Sequence, residues 1–244
     1  MTMTPTILYV DFTCPWSYLA HRRLALLSAD GMDVEVRAVE HEPKRSHLGL
    51  VDKDEFPRLR EEVSRVEHAL LPGESLPIEL RGFVPNTRAA ISAYAESSCA
   101  GVAPIAAPIL FEAHWRDGLD LGNPSVVRVL LADAVMSGTS PSDPQRRWGH
   151  CVDVTGGPMT SMAWQLVRAW RHQWTDLEKE VVPVLLPETG NIRYGVDAVD
   201  HLGQLLMERG IDPSTEPVWP QPGPRPPLDG HGRTQILYGP LGVA

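Results

Sequence analysis

Asp11-Phe12-Thr13-Cys14-Pro15-Trp16-Ser17-Tyr18 sits between a short apolar run and a longer amphipathic one. Upstream, Ile7 to Asp11 is apolar, β-prone and closed by a turn-forming residue, which predicts a buried strand. Downstream, Leu19, Ala20, Leu24 and Leu27 share one face at helical spacing. Asp30-Gly31 stops that pattern, so a helix over 15–29 is predicted. Pro15 fits the first helical position, where a missing N–H costs nothing. Cys14 therefore falls at or near the N-cap. A thiolate there can accept hydrogen bonds from the free amides of Trp16 and Ser17, and it faces the positive end of the helix dipole. Comparable sites lower a cysteine pKa from about 8.5 to between roughly 3.5 and 7.5. The expectation is an ionised, reactive Cys14 at neutral pH. The spacing alone is equally compatible with a cysteine that packs as a small hydrophobe.

Ser17 narrows the chemistry. A dithiol oxidoreductase needs a second cysteine to resolve its mixed disulfide. Ser17 cannot do that, but it can donate a hydrogen bond to the Cys14 sulfur. The other cysteines, Cys99 and Cys151, have no local sequence that recommends them as resolving partners. An odd count at wide spacing argues against a disulfide framework. None of the histidines pairs with a cysteine at zinc spacing, so no metal is expected. The net charge of −9 argues against a general affinity for nucleic acid. No run of 18 apolar residues exists, so no membrane-spanning helix is expected. No signal peptide is apparent, and the cytoplasm is the expected compartment.

Outward from the cysteine, Val34 to Val39 alternates in period two and predicts a second strand, parallel to the first through a βαβ crossover. From about Glu42 to Lys179 the pattern is helical. Helices are predicted over 56–70, 86–97 with Asn86 or Thr87 as N-cap, 108–117, 125–136, and 158–180, the longest. The period then returns to two. Val182 to Leu186 and Ile192 to Tyr194 flank a turn-rich segment and predict a hairpin. A last helix over 197–209 ends at Gly210. Seven prolines between Pro213 and Pro227 forbid a helix or a central strand. This tail lies on the surface, or its Thr234–Tyr238 stretch reaches a second subunit as an arm; a homodimer is compatible with either.

The segment DFTCPWSYLAHRRL, 11–24, resembles the active-site segment of DsbA-like oxidoreductases of the FrnE type. Their motif is Cys-Pro-Trp-Cys. It is also similar to kappa-class glutathione transferases and 2-hydroxychromene-2-carboxylate isomerases, which carry Ser-Pro-Tyr-Ser in the same place. This chain has the first cysteine of one group and the final serine of the other. The stretches VPNTRAAISAYAESS, 84–98, and FEAHWRDGLDLGNPSVV, 111–127, look like the helical segments of that family.

The resemblance implies an α/β, thioredoxin-like fold with a large helical insertion domain. The implied boundaries are 1–42 and 180–211 for a discontinuous thioredoxin-like domain, 43–179 for the insertion, and 212–244 for a Pro-rich extension. It implies a cis-proline facing the nucleophile, with Val182-Pro183 as the candidate. Val182 would then offer its backbone to an extended peptide or a small thiol. It also implies that Gly195 and Asp197 stand where kappa-like members hold the γ-glutamyl end of glutathione, although Asp197 reads equally as a helix N-cap. Trp164, Trp170 and Trp174 pack a domain interface or wall an apolar substrate pocket. Asp117 and Asp120 are expected to be solvated, and His21 to pack or point away.

The first functional expectation is a DsbA-like oxidoreductase with the single active-site cysteine Cys14, acting on disulfide or thiol substrates. Ser17 is the second catalytic residue, and Pro15, Trp16, Val182, Pro183, Gly195 and Asp197 form the thiol-binding surface. No tightly bound cofactor is expected beyond a small thiol such as glutathione or mycothiol. The second is an isomerase or S-transferase that uses such a thiol on an apolar molecule. The third is a binding protein whose catalytic pair has decayed.

Overall fold

The computed structural model describes residues 5–43 and 55–217. The Thr234–Tyr238 stretch lies outside them. Among the described residues four strands form one mixed sheet in the order β2-β1-β3-β4. Strand β1 (Thr6–Val10) pairs parallel with β2 (Val34–Ala38), in register Thr6 with Val34 through Val10 with Ala38. Its other edge pairs antiparallel with β3 (Val184–Leu186), Ile7 opposite Leu186 and Tyr9 opposite Val184. The short β4 (Arg193–Tyr194) completes the hairpin. Every residue of β1 is buried, which matches its unbroken apolar run.

Helix α1 (Pro15–Ala29) crosses from β1 to β2, and α8 (Val196–Glu208) packs beside it. Between β2 and β3 the chain inserts α2 (Glu55–His68), α3 (Arg88–Cys99), α4 (Ala103–Trp115), α5 (Pro124–Met136), α6 (Asp143–Trp148) and α7 (Ser161–Thr175). This is a DsbA-like thioredoxin fold with a helical insertion.

Several boundaries differ from the sequence reading, each for a physical reason. Helix α4 begins at Ala103 rather than 108, because Pro104 takes the early helical position and Pro108 is carried inside. Thr87 is the N-cap of α3, but its side chain makes no capping bond. Asn86 supplies that acceptor instead, taking the Arg88 N–H at 2.9 Å. Helix α7 spans 15 residues, no more than α1, because Thr160 caps it late. Short α6 has no apolar period to reveal it; it forms on a reciprocal cap between Ser142 and Gln145, and Gly149 closes it in the left-handed region.

Buried polar groups lock these pieces together. Arg23, 1% exposed, meets the Glu74 carboxylate with two nitrogens at 2.9 and 2.6 Å. The same guanidinium donates to the carbonyls of Val199 in α8 and Ala69 beyond α2. Glu96, fully buried, accepts from Gln145 and from the Met159 and Thr160 amides at the entry to α7.

Candidate functional site

Cys14 is the N-cap of α1, in extended conformation, with Pro15 opening the helix behind it. Its amide donates to the Asp11 carbonyl at 3.1 Å, and its carbonyl accepts the Tyr18 N–H at 3.1 Å. The sulfur is half-buried and packs on the core. Across from it the Val182–Pro183 peptide bond is cis. The Cys14 thiol donates to the Val182 carbonyl at 3.7 Å. Two segments 168 residues apart in sequence therefore meet at this point. Trp16, Val182 and Pro183 are all buried.

The thiol is not depressed, contrary to the helix-start expectation. Burial pushes Cys14 up to about 12. Glu62 on α2 and Asp11 push the same way, because a thiolate beside a carboxylate is disfavoured. The amide and hydroxyl of Ser17 pull it down without overcoming burial. The neutral thiol makes no side-chain capping bond to the helix. Apolar surroundings thus outweigh the helix terminus. Ser17 itself is fully buried, and its Oγ accepts the Asp11 N–H at 3.3 Å.

Asp11 was read from sequence only as a turn former, yet it organises the site. Its carboxylate, 2% exposed, accepts from the Thr13 amide and hydroxyl, both at 3.0 Å. It also accepts from the His41 amide at 2.8 Å and the Thr87 hydroxyl at 3.3 Å. One acid therefore joins the loop before Cys14, the exit from β2 and the start of α3. The available signal was a carboxylate at the end of a buried strand, three residues before the cysteine.

Trp174 fixes the other side. Its indole N–H donates to the Val181 carbonyl at 2.9 Å, the residue just before Val182. Its ring meets the edge of His41 at 6.3 Å between centroids. Gly195 donates its N–H to the Pro183 carbonyl at 2.8 Å and is the N-cap of α8, with a positive φ of 55° that favours glycine. This hangs the start of α8 on the cis turn. Asp197 is therefore not the N-cap; it lies one turn-position inside the helix, exposed, and pairs with Arg193 at 3.2 Å.

Two further expectations change, for Asp117 and for the tryptophans of α7. Asp117 is buried and pairs with Arg116 at 3.3 Å rather than lying in solvent. The tryptophans of α7 divide: Trp174 braces the site, Trp170 is buried against Tyr94, and Trp164 is half exposed. A cavity of about 660 Å³ does adjoin Trp170, but it runs along the C-terminal half of α1 and Cys14 is not in its wall. His21 packs as expected, against Phe111 at 4.9 Å, and burial lowers it to about 3, so it stays neutral. Cys151 is fully buried and Cys99 half-buried; all three cysteines are free.

Among the described residues no group of three His, Cys, Asp or Glu side chains could hold a metal ion, and no helix is long and apolar enough to cross a membrane. No family model matches the chain, and neither does any characterised sequence. Solved structures do match in fold. A 2-hydroxychromene-2-carboxylate isomerase superposes with a TM-score of 0.58 at 19% identity, covering 85% of this chain and 96% of the other. A probable DsbA oxidoreductase from Streptomyces coelicolor gives 0.56 at 15% identity, covering 84% and 88%. The cytosolic disulfide reductase DsbM from Pseudomonas aeruginosa, solved with GSH, gives 0.56 at 14% identity, covering 85% and 100%. At these identities the likeness establishes the shared fold alone, a DsbA-like thioredoxin fold with a helical insertion. That fold is common to oxidoreductases and to an isomerase.

Proposed function

We propose that this chain is a thiol–disulfide oxidoreductase that works through the single sulfur of Cys14 on small-molecule disulfides or thiols. The observation that carries this reading is the Cys14 sulfur 3.7 Å from the Val182 carbonyl at a cis Val182–Pro183 turn. A substrate lying along Val182 meets a backbone carbonyl on one side and a sulfur on the other. In the first step the Cys14 sulfur attacks one sulfur of a disulfide, that S–S bond breaks, and the Cys14 proton ends on the departing thiol. A second small thiol, glutathione or mycothiol in class, then attacks the Cys14 adduct and restores the free cysteine. Ser17 supports the developing charge with its amide and hydroxyl. Gly195 and Asp197 offer an amide-lined helix start and a carboxylate for the polar end of the thiol.

The test is mass spectrometry after exposure to glutathione disulfide and to mycothiol disulfide. One adduct, on Cys14 and absent from Cys14→Ala, is expected. No adduct at millimolar disulfide and pH 8 overturns the reading.

The second reading is favoured by the raised thiol. A Cys14 that stays protonated can donate its S–H to the thiolate of a bound small thiol, which then acts on an apolar molecule as in an isomerase or S-transferase. Cys14→Ser separates the two. A hydroxyl keeps the donor role and retains activity in the second reading, whereas disulfide exchange is abolished in the first.

A further inference from the structure

The cavity of about 660 Å³ lies between α1, β2, α3, α4 and α7, away from the thiol. Sites for small molecules run from roughly 300 to 1,000 Å³, so the volume suits one. The wall is chiefly apolar and includes Leu26, Val36, Ile105, Leu166 and Trp170. Ser28, Ala29 and Pro104 of the same wall are exposed, which leaves an opening among the described residues. Glu35 is the charged side chain of the wall, and among the described residues no lysine or arginine lines it. His21 lines it as well and stays neutral, because burial lowers it to about 3. Three polar groups of the wall are left as acceptors. The Tyr94 hydroxyl donates to the Val36 carbonyl at 3.0 Å, and the Ser98 hydroxyl donates to the Tyr94 carbonyl at 2.9 Å. Glu35 accepts from Arg37 at 2.7 and 2.9 Å, and its carboxylate keeps further lone pairs.

We propose that this cavity binds an uncharged apolar ring compound that carries a hydrogen-bond donor, a phenol or an arylamine in class. The apolar wall supplies the driving force, and the Trp170 indole offers a flat face to a ring. The donor is satisfied by an oxygen of Tyr94, Ser98 or Glu35, whose own protons are spent or absent. A carboxylate or sulfonate is excluded on two counts. It finds no cation in the wall to offset its desolvation, and Glu35 repels it. Cys14 is not part of this wall, so the site is distinct from the thiol chemistry proposed above.

The test titrates the full-length chain with three fluorescent probes of one skeleton. Phenylnaphthylamine is uncharged and has an N–H, its N-methyl derivative lacks that donor, and anilinonaphthalene sulfonate adds an anion. Phenylnaphthylamine is expected to bind saturably, one per chain, and to quench tryptophan emission. The N-methyl derivative is expected to bind several-fold more weakly, and the sulfonate about tenfold more weakly. Leu166→Arg, which places a cation in the wall, is expected to weaken phenylnaphthylamine and to strengthen the sulfonate. Cys14→Ala is expected to leave all three affinities unchanged, so loss of the thiol chemistry and loss of this site are read separately. The proposal is overturned by no saturable binding of phenylnaphthylamine, or by equal affinity for it and either of the other probes. Binding of one probe per two chains also overturns it, since the cavity would then belong to an interface between copies. So does binding that disappears in Cys14→Ala. If Leu166→Arg does not fold by circular dichroism, Ile105→Trp replaces it by filling the space. Loss of phenylnaphthylamine binding is then expected, and unchanged affinity overturns the proposal.

Discussion

At the scale of single residues, Cys14 stands between two opposed influences. The helix start favours its anion; the apolar packing and the carboxylates of Glu62 and Asp11 favour its neutral form. Alkylation therefore reads which one governs. The rate of iodoacetamide modification at Cys14 is expected to climb about tenfold per pH unit from 8 to 11, with no plateau near neutrality. Mass spectrometry of the Cys14 peptide measures it. His21 gives a stability counterpart. Burial lowers it to about 3, against about 6.5 in the unfolded chain. Between those values the unfolded state binds a proton that the folded state does not, so folded stability falls as pH drops through that window. His21→Leu is expected to flatten this loss, as seen in urea midpoints at pH 4 and pH 7. The sequence showed where Cys14 sits but not its protonation state. Propensity and capping are local; the burial that governs the sulfur comes from residues 168 positions away and from α2. Asp11 was hidden for the same reason, since two of its four partner groups, the His41 amide and the Thr87 hydroxyl, reach it only once the chain is folded.

At the scale of elements, α1 is the piece on which the others are hung. Its N-cap is Cys14, and its middle carries Arg23, which reaches α8 and the chain beyond α2. Arg23→Met leaves the buried Glu74 carboxylate without its partner and is expected to cost about 3–5 kcal/mol. Chemical denaturation measures it, and Arg23→Met with Glu74→Gln should recover part of the loss. On the opposite side, α7 braces the cis turn through one indole hydrogen bond. Trp174→Phe keeps most of the packing and removes that bond, at about 1 kcal/mol. It is expected to raise the alkylation rate of Cys14 while α7 stays folded by circular dichroism; an unchanged rate would show that Val181 is held by other contacts. Long periodic helices were legible because their apolar faces repeat. The start of α4 and the existence of α6 were not, because prolines and caps set them rather than a repeating face.

At the scale of the whole molecule, the order of periods along the chain carried the architecture. Two-residue alternation, a long helical block and a return to alternation already place the insertion between β2 and β3. What that order did not carry was the cavity, whose wall draws on five elements from both parts of the chain. A charge in it tests how far the two regions are independent: Leu166→Arg is expected to leave the Cys14 alkylation profile unchanged, since Cys14 is outside the wall.

The meeting of positions 14 and 182 has a temporal consequence. A ribosome delivers the cysteine first and the Val182–Pro183 turn 168 residues later. Until then the nascent sulfur is an ordinary thiol, open to any oxidant it encounters. Arrival of that turn is what closes the apolar setting around it, so the sulfur acquires its own behaviour only once the two segments have met.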